Sequence, residues 1–254
     1  MDPLEKKKVL HSLVFPSILL AIIWIVKLVE VAFNIDFSGF GIYPQHAAGL
    51  IGIILSPLLH AGFAHLSANS VPLFVLTAGL FYFYGRKSAW IFSLLWLVTG
   101  FWVWVFAKDT GIHIGASGVV YALAAFHFTG GVIRKEPRLM AFSLLVVFLY
   151  GGLIWGIIPN FLPEKNISWE SHLMGLLAGA VIAVFYKNVG PTRKEYSWEE
   201  DEDEPDEEPP AEEINFSEPA TTKEDTTNNP SDNSIQIIYH IRNDNNSEPP
   251  PNSK

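Results

Sequence analysis

The chain contains no cysteine and only three methionines in 254 residues. The absence of cysteine excludes disulfides, thiolate metal sites and a cysteine nucleophile. A fixed-period repeat is also missing, which argues against solenoids and propellers. Acidic residues are scarce over most of the length. Residues 1–198 hold 14 Lys and Arg against nine Asp and Glu, whereas residues 199–254 hold three against 17. The formal net charge of -9 is therefore the sum of a slightly basic, apolar body and a strongly acidic end. That contrast predicts a membrane domain, residues 1–190, joined to a solvated extension, residues 191–254. The extension, with its run Glu199 to Glu204 followed by Pro, Ser, Thr and Asn, cannot bury enough apolar surface to offset ordering entropy and reads as largely disordered. A short strand-like segment, Ile235 to Ile241, could add to a partner's sheet edge, so an unidentified cytoplasmic partner is entertained for the tail. No nucleic-acid partner is expected.

What the body does contain is a series of apolar runs: Val9 to Phe33, His65 to Tyr84, Ala89 to Ala107, Ser117 to Thr129, Leu139 to Ile158 and Ser171 to Tyr186. Spanning a bilayer takes about 20 residues, so the fourth run is short and the sixth marginal. His46 to Leu59 is apolar but too short to cross and reads as re-entrant or interfacial. Basic residues cluster in alternate connections: Lys6 to Lys8, Arg86 and Lys87, Arg134 to Arg138, and Lys187 to Lys194. Basic loops stay cytoplasmic, so the pattern predicts six crossings with both termini in the cytoplasm. The first run is longer than a signal-peptide core and no clear small-residue cleavage site follows it, so it reads as a retained helix. The expected class is an all-α integral membrane protein, a bundle of six transmembrane helices in contact with the lipid bilayer.

Three places in these runs could carry chemistry. The fourth opens Gly115-Ala116-Ser117-Gly118, with Tyr121 one turn on. A serine among small residues at a helix start can be a cap or a packing site. The run's length favours more. Thirteen residues rise about 18 Å against a hydrocarbon layer of about 30 Å, which would leave Ser117 about 10 Å below the outer boundary. Backbone at that depth must be sheltered by protein or line a wet cavity. The sixth run opens Ser171-His172, with Gly175 and Gly179 on the face below the histidine. Gly118, Ala122 and Ala125 form a matching small face on run four, so the two backbones can approach closely and bring His172 to Ser117. The second run begins near His60, His65 and Asn69. His65 and Asn69 are four apart, share a face, and could donate to a developing alkoxide together with the Ser117 N–H. The alternative for them is polar glue within a bundle. A metal reading is disfavoured, because the spacing of His60 and His65 puts them on different faces with no glutamate between. No partner can be named for His11, His46, His113, His127 or His240. Glu170 is close to His172 in sequence but is expected outside.

Taken together, these residues resemble the rhomboid family of intramembrane serine proteases over about residues 9–187. The pattern is His60 with His65 and Asn69, then Gly115, Ser117, Gly118 and Tyr121, then His172, Gly175 and Gly179. The resemblance implies the rhomboid six-helix fold and peptide-bond hydrolysis without cofactor or metal. In it Ser117 would be the nucleophile and His172 the base, with no third carboxylate. Tyr121 would pack against His172, His65 and Asn69 would serve the oxyanion, and His60 would hold the first outer loop. The implied substrates are transmembrane segments of other proteins, cut near the outer face, in a bacterial inner membrane. A catalytically inactive relative that only binds membrane helices is the alternative; such proteins typically lack the Ser or the His. A small transporter would predict internal symmetry, which is not seen. Two departures stand out: residues 34–59 lack the Trp-Arg pair of many bacterial members, and Ser171 replaces the usual Ala before the histidine.

Overall fold

The computed structural model describes residues 2–108, 111–149 and 168–192, all within one compact unit, Met1–Asp201. The acidic tail with its Ile235 to Ile241 segment, and the distal part of the fifth apolar run, lie outside the described residues. Among those described the structure is all-α, with a single isolated bridge between Ile42 and His113.

Among the described residues, the apolar runs form helices. α1 (Pro3–Phe33) starts where the Asp2 carboxylate accepts from the Leu4 N–H at 3.2 Å and Pro3 takes a position that needs no donor. It stops at Asn34, which turns left-handed at φ 53°. Only Ser12, Pro16, Leu19, Ile23 and Glu30 of α1 are buried, while Val14, Ile18, Ile22 and Ile25 stay exposed. A helix apolar on all sides but buried along one stripe suits a lipid surround. A single α turn, α2 (Gly52–Leu55), lies between the 3₁₀ turns Ala47–Ile51 and Ser56–Leu58, so the segment expected to be re-entrant is a chain of short turns. α3 (Phe63–Tyr84) and α4 (Ser88–Phe106) are joined by a 3₁₀ turn at Gly85, whose φ of 50° favours glycine. Together they make a continuous apolar stretch, Phe63–Phe106. This stretch and α1 are the two described segments long and apolar enough to cross a membrane. α5 (Ser117–Ile133), α6 (Pro137–Leu149) and α7 (Trp169–Phe185) are shorter.

α5 is central. Every residue from Gly118 to Ala124 is buried, and Leu123 and Phe126 meet Leu73, Leu76 and Leu80 of α3 and Ile91 and Leu95 of α4 in one apolar core. Its closest neighbour is α7. A Cβ at Gly175 would lie 2.1 Å from the Gly118 carbonyl oxygen, and one at Gly179 2.1 Å from that of Ala122. The small faces foreseen in the sequence therefore meet backbone to backbone. α5 also runs four residues beyond the apolar run, to Ile133. Its 17 residues rise about 25 Å, more than the about 18 Å of the apolar run alone.

The first loop has its own anchors. Trp96 and Trp104 of α4 donate their indole N–H groups to the carbonyls of Ile54, at 3.2 Å, and His46, at 2.9 Å. The loop lacks tryptophan, but α4 supplies it from the other side. Buried Glu30 near the end of α1 accepts from Lys27 Nζ at 3.1 Å and from the Phe37 N–H at 3.0 Å, and Lys27 also reaches the His60 carbonyl at 2.9 Å. The opposite end of the bundle is closed by Arg134, which donates to the Tyr84 hydroxyl and to the Tyr186 carbonyl.

Candidate active site

Ser117 is the first helical residue of α5. The chain reaches it through Gly115, whose φ of 110° is open to glycine and strained for other residues. The approach is held at three points. His113 exchanges backbone hydrogen bonds with Ile42 at 2.9 and 2.8 Å, Gly115 N–H donates to the Ser56 carbonyl at 2.9 Å, and Ala116 N–H donates to His60 Nε2 at 3.4 Å. His60 thus accepts as a neutral imidazole and links the first loop to the residue beside the serine.

His172, buried in the first turn of α7, has Nε2 2.9 Å from Ser117 Oγ. The ring is flanked by Tyr121, one turn beyond Ser117, stacked at 4.3 Å between centroids and 19° between planes. With the proton on Nδ1, the serine hydroxyl donates to Nε2, as proton transfer to a base requires. Ser117 itself is only partly buried. Gly118, which follows it, has Thr99 Cγ2 3.1 Å and the Ser171 carbonyl oxygen 3.2 Å from where a Cβ would stand. A small cavity of about 20 Å³ lies beside these residues, with Thr99, Gly100, His113 and Ser171 among its walls.

The His65 ring lies against Gly115, with Cε1 2.6 Å and Nε2 2.9 Å from the place of a Cβ there. Its ring also meets that of His60 edge-on at 5.1 Å. Asn69 is buried one turn further along α3, and its Nδ2 donates to the His65 carbonyl at 3.0 Å. That bond uses one of its two N–H groups. Among the described residues no group of three or more His, Asp and Glu side chains gathers as metal ligands would. His11, His46 and His127 bond to backbone carbonyls of Lys7, Pro44 and Leu76.

Two residues depart from the sequence reading. Glu170 is sheltered by protein: it is buried at 8% exposure, accepts from the Lys108 N–H at 3.1 Å and lies 4.0 Å from His113 Nε2. His113, for which no partner could be named, contacts Ser168 Oγ through Nδ1. Burial lowers the His113 pKa from its ordinary value, and the Glu170 carboxylate partly offsets this. The available signal was Glu170 itself, a lone carboxylate opening an apolar run.

The sequence model of the Rhomboid domain family matches residues 47–188, which include every residue of this site. The chain belongs to the rhomboid family. An uncharacterized protein of Mycobacterium tuberculosis, Rv1337, is 33% identical over 184 residues, covering 68% of this rhomboid and 74% of the relative. A Mycobacterium leprae protein, ML1171, also uncharacterized, is 30% identical over 186 residues, covering 69% and 70%. YdcA of Bacillus subtilis, named as a candidate rhomboid protease, is 26% identical over 132 residues, covering 52% and 64%. Family and apolar helices together make this rhomboid a membrane protein.

Proposed function

We propose that this rhomboid is an intramembrane serine endopeptidase that cleaves transmembrane segments of other proteins near the outer face. The observation that carries the reading is the 2.9 Å contact between Ser117 Oγ and His172 Nε2. Ser117 attacks the scissile carbonyl carbon while His172 takes its proton. The tetrahedral intermediate collapses as His172 gives that proton to the leaving amine, and water, activated by the same imidazole, hydrolyses the acyl-enzyme. Negative charge develops at the N-terminus of α5, where free N–H groups and the helix dipole favour it. The Ser117 N–H, His65 and the uncommitted N–H of Asn69 are the candidate donors. The stacked Tyr121 ring holds the imidazole in plane for both transfers. No cofactor enters these steps.

The setting completes the proposal. Residues 1–190 form a six-crossing domain in a bacterial inner membrane with both termini cytoplasmic, and residues 191–254 form an acidic cytoplasmic extension. Alternate basic loops support that orientation. Substrate segments with helix-weakening residues are favoured, because the attacked backbone must be extended. The test is labelling with a fluorophosphonate, in detergent and in liposomes, beside cleavage of a reporter transmembrane substrate. Wild-type protein should be labelled at Ser117 and should cut. Ser117→Ala should do neither while keeping the wild-type melting temperature. Cleavage that survives in Ser117→Ala would sink the proposal.

A further inference from the structure

The geometry points to His113 as a positioning residue that, through Ser168, locks the strand of chain entering α5 to the first turn of α7. The inference deepens the protease reading and rests on it: what the lock holds in register is the Ser117–His172 pair.

Both members stand four residues before a reacting group, His113 before Ser117 and Ser168 before His172. Ser168 caps α7. Its Oγ accepts from the Ser171 N–H at 3.2 Å, and its carbonyl accepts from the His172 N–H at 3.3 Å. The same Oγ meets Ser171 Oγ at 2.7 Å and His113 Nδ1. A hydroxyl offers one proton and two lone pairs. With Ser168 donating to His113 Nδ1, its lone pairs take the Ser171 N–H and Ser171 O–H, and nothing is left over. His113 then carries its proton on Nε2, facing the Glu170 carboxylate at 4.0 Å. Glu170 is itself held by the Lys108 N–H, so it touches both ends of the connection between α4 and α5. His113 is fixed a third way, through its backbone pairing with Ile42.

Carboxylate, imidazole and hydroxyl in sequence could suggest a second nucleophile at Ser168. Its lone pairs are committed to capping α7, so it holds rather than attacks. The dyad has no carboxylate in its assigned roles, and this group supplies the rigidity that one would otherwise give. The Ser117–His172 distance is set between two helices. Close glycine packing fixes how far apart they lie, and the His113–Ser168 contact fixes the rotation and height of α7's first turn.

The test uses full-length protein in detergent and two readouts: the rate at which a fluorophosphonate labels Ser117, and amide hydrogen exchange over residues 169–174. Loss of one buried hydrogen bond should slow labelling about 10-fold in His113→Ala and in Ser168→Ala. Exchange at the start of α7 should rise in both. The double variant should be no worse than Ser168→Ala, because the two act through one contact. His113→Asn, whose amide reaches the place of Nδ1, should restore both readouts, and His113→Gln should not. Additive losses in the double variant, wild-type behaviour of His113→Ala, or equal rates for the Asn and Ala variants would overturn the inference. If wild-type Ser117 is not labelled but exchange responds as described, the protease reading falls and the lock stands.

Discussion

Replacing Gly175 with alanine tests how finely the proposed Ser117–His172 dyad is set. A Cβ there would stand 2.1 Å from the Gly118 carbonyl oxygen, whereas ordinary contact begins near 3.4 Å. The obstacle is backbone of the helix that carries Ser117, so no side chain can swing away. Relief requires α7 to retreat from α5 by about 1 Å at the level of Gly118, next to Ser117. Carried along, His172 Nε2 would leave its 2.9 Å contact for a distance at which the hydrogen bond is lost. A misplacement of about 1 Å costs on the order of 10²-fold in rate, and overpacking costs about 1–3 kcal/mol in stability. The expected outcome is a roughly 100-fold slower fluorophosphonate reaction in a protein that still melts cooperatively a few degrees lower. Leu177→Ala, at an exposed position of the same helix, should leave the reaction rate unchanged. A Gly175→Ala variant that labels at the wild-type rate would show that the helix contact does not set the dyad.

Gly115→Ala places a side chain at φ 110° and into the His65 ring, so reporter cleavage should fall at least 10-fold, with about 1–3 kcal/mol of strain read from the melting temperature. Glu30→Ala leaves the half-buried Lys27 without its carboxylate and should cost on the order of 1–3 kcal/mol, with Lys27→Met plus Glu30→Leu recovering part of it in thermal melts. Glu136, in the connection between α5 and α6, has its carboxyl held below the usual 4.5 by hydrogen bonding to Arg138. Its folded pKa is depressed, so its stabilisation is full above the ordinary value and is lost as pH falls through the depressed one. Melting temperature measured between pH 3 and 6 should therefore drop more steeply in wild type than in Glu136→Gln.

Much of this was legible in the residues. Apolar runs located α1, α3, α4, α5 and α7 with every end within six residues, because apolar helices leave long unbroken signals. The glycines below His172 announced the α5–α7 contact, since close approach needs a missing Cβ. α5 is longer than its apolar run, because Gly130 and Gly131 continue the helix against Tyr84 and Met140. The meeting of His113, Ser168 and Glu170 was not legible, although Glu170, a lone carboxylate opening an apolar run, was a signal for one member. His113 lies in the connection between α4 and α5 and Ser168 and Glu170 at the start of α7, and only the tertiary meeting of α4, α5 and α7 brings them together. The indole anchors of the first loop are hidden for a related reason: they come from α4 opposite and not from the loop itself.

The burial of α5 from Gly118 to Ala124 has a consequence for where this rhomboid can work. A helix surrounded by its own bundle along that stretch has little direct say in how the bilayer bends around it. In the proposed membrane setting the outer helices, chiefly α1 with its exposed Ile and Val, would meet the hydrocarbon and tilt or thin it as needed. Changes in lipid chain length should therefore be absorbed at the perimeter, and the spacing of the reacting pair should persist from one membrane composition to the next.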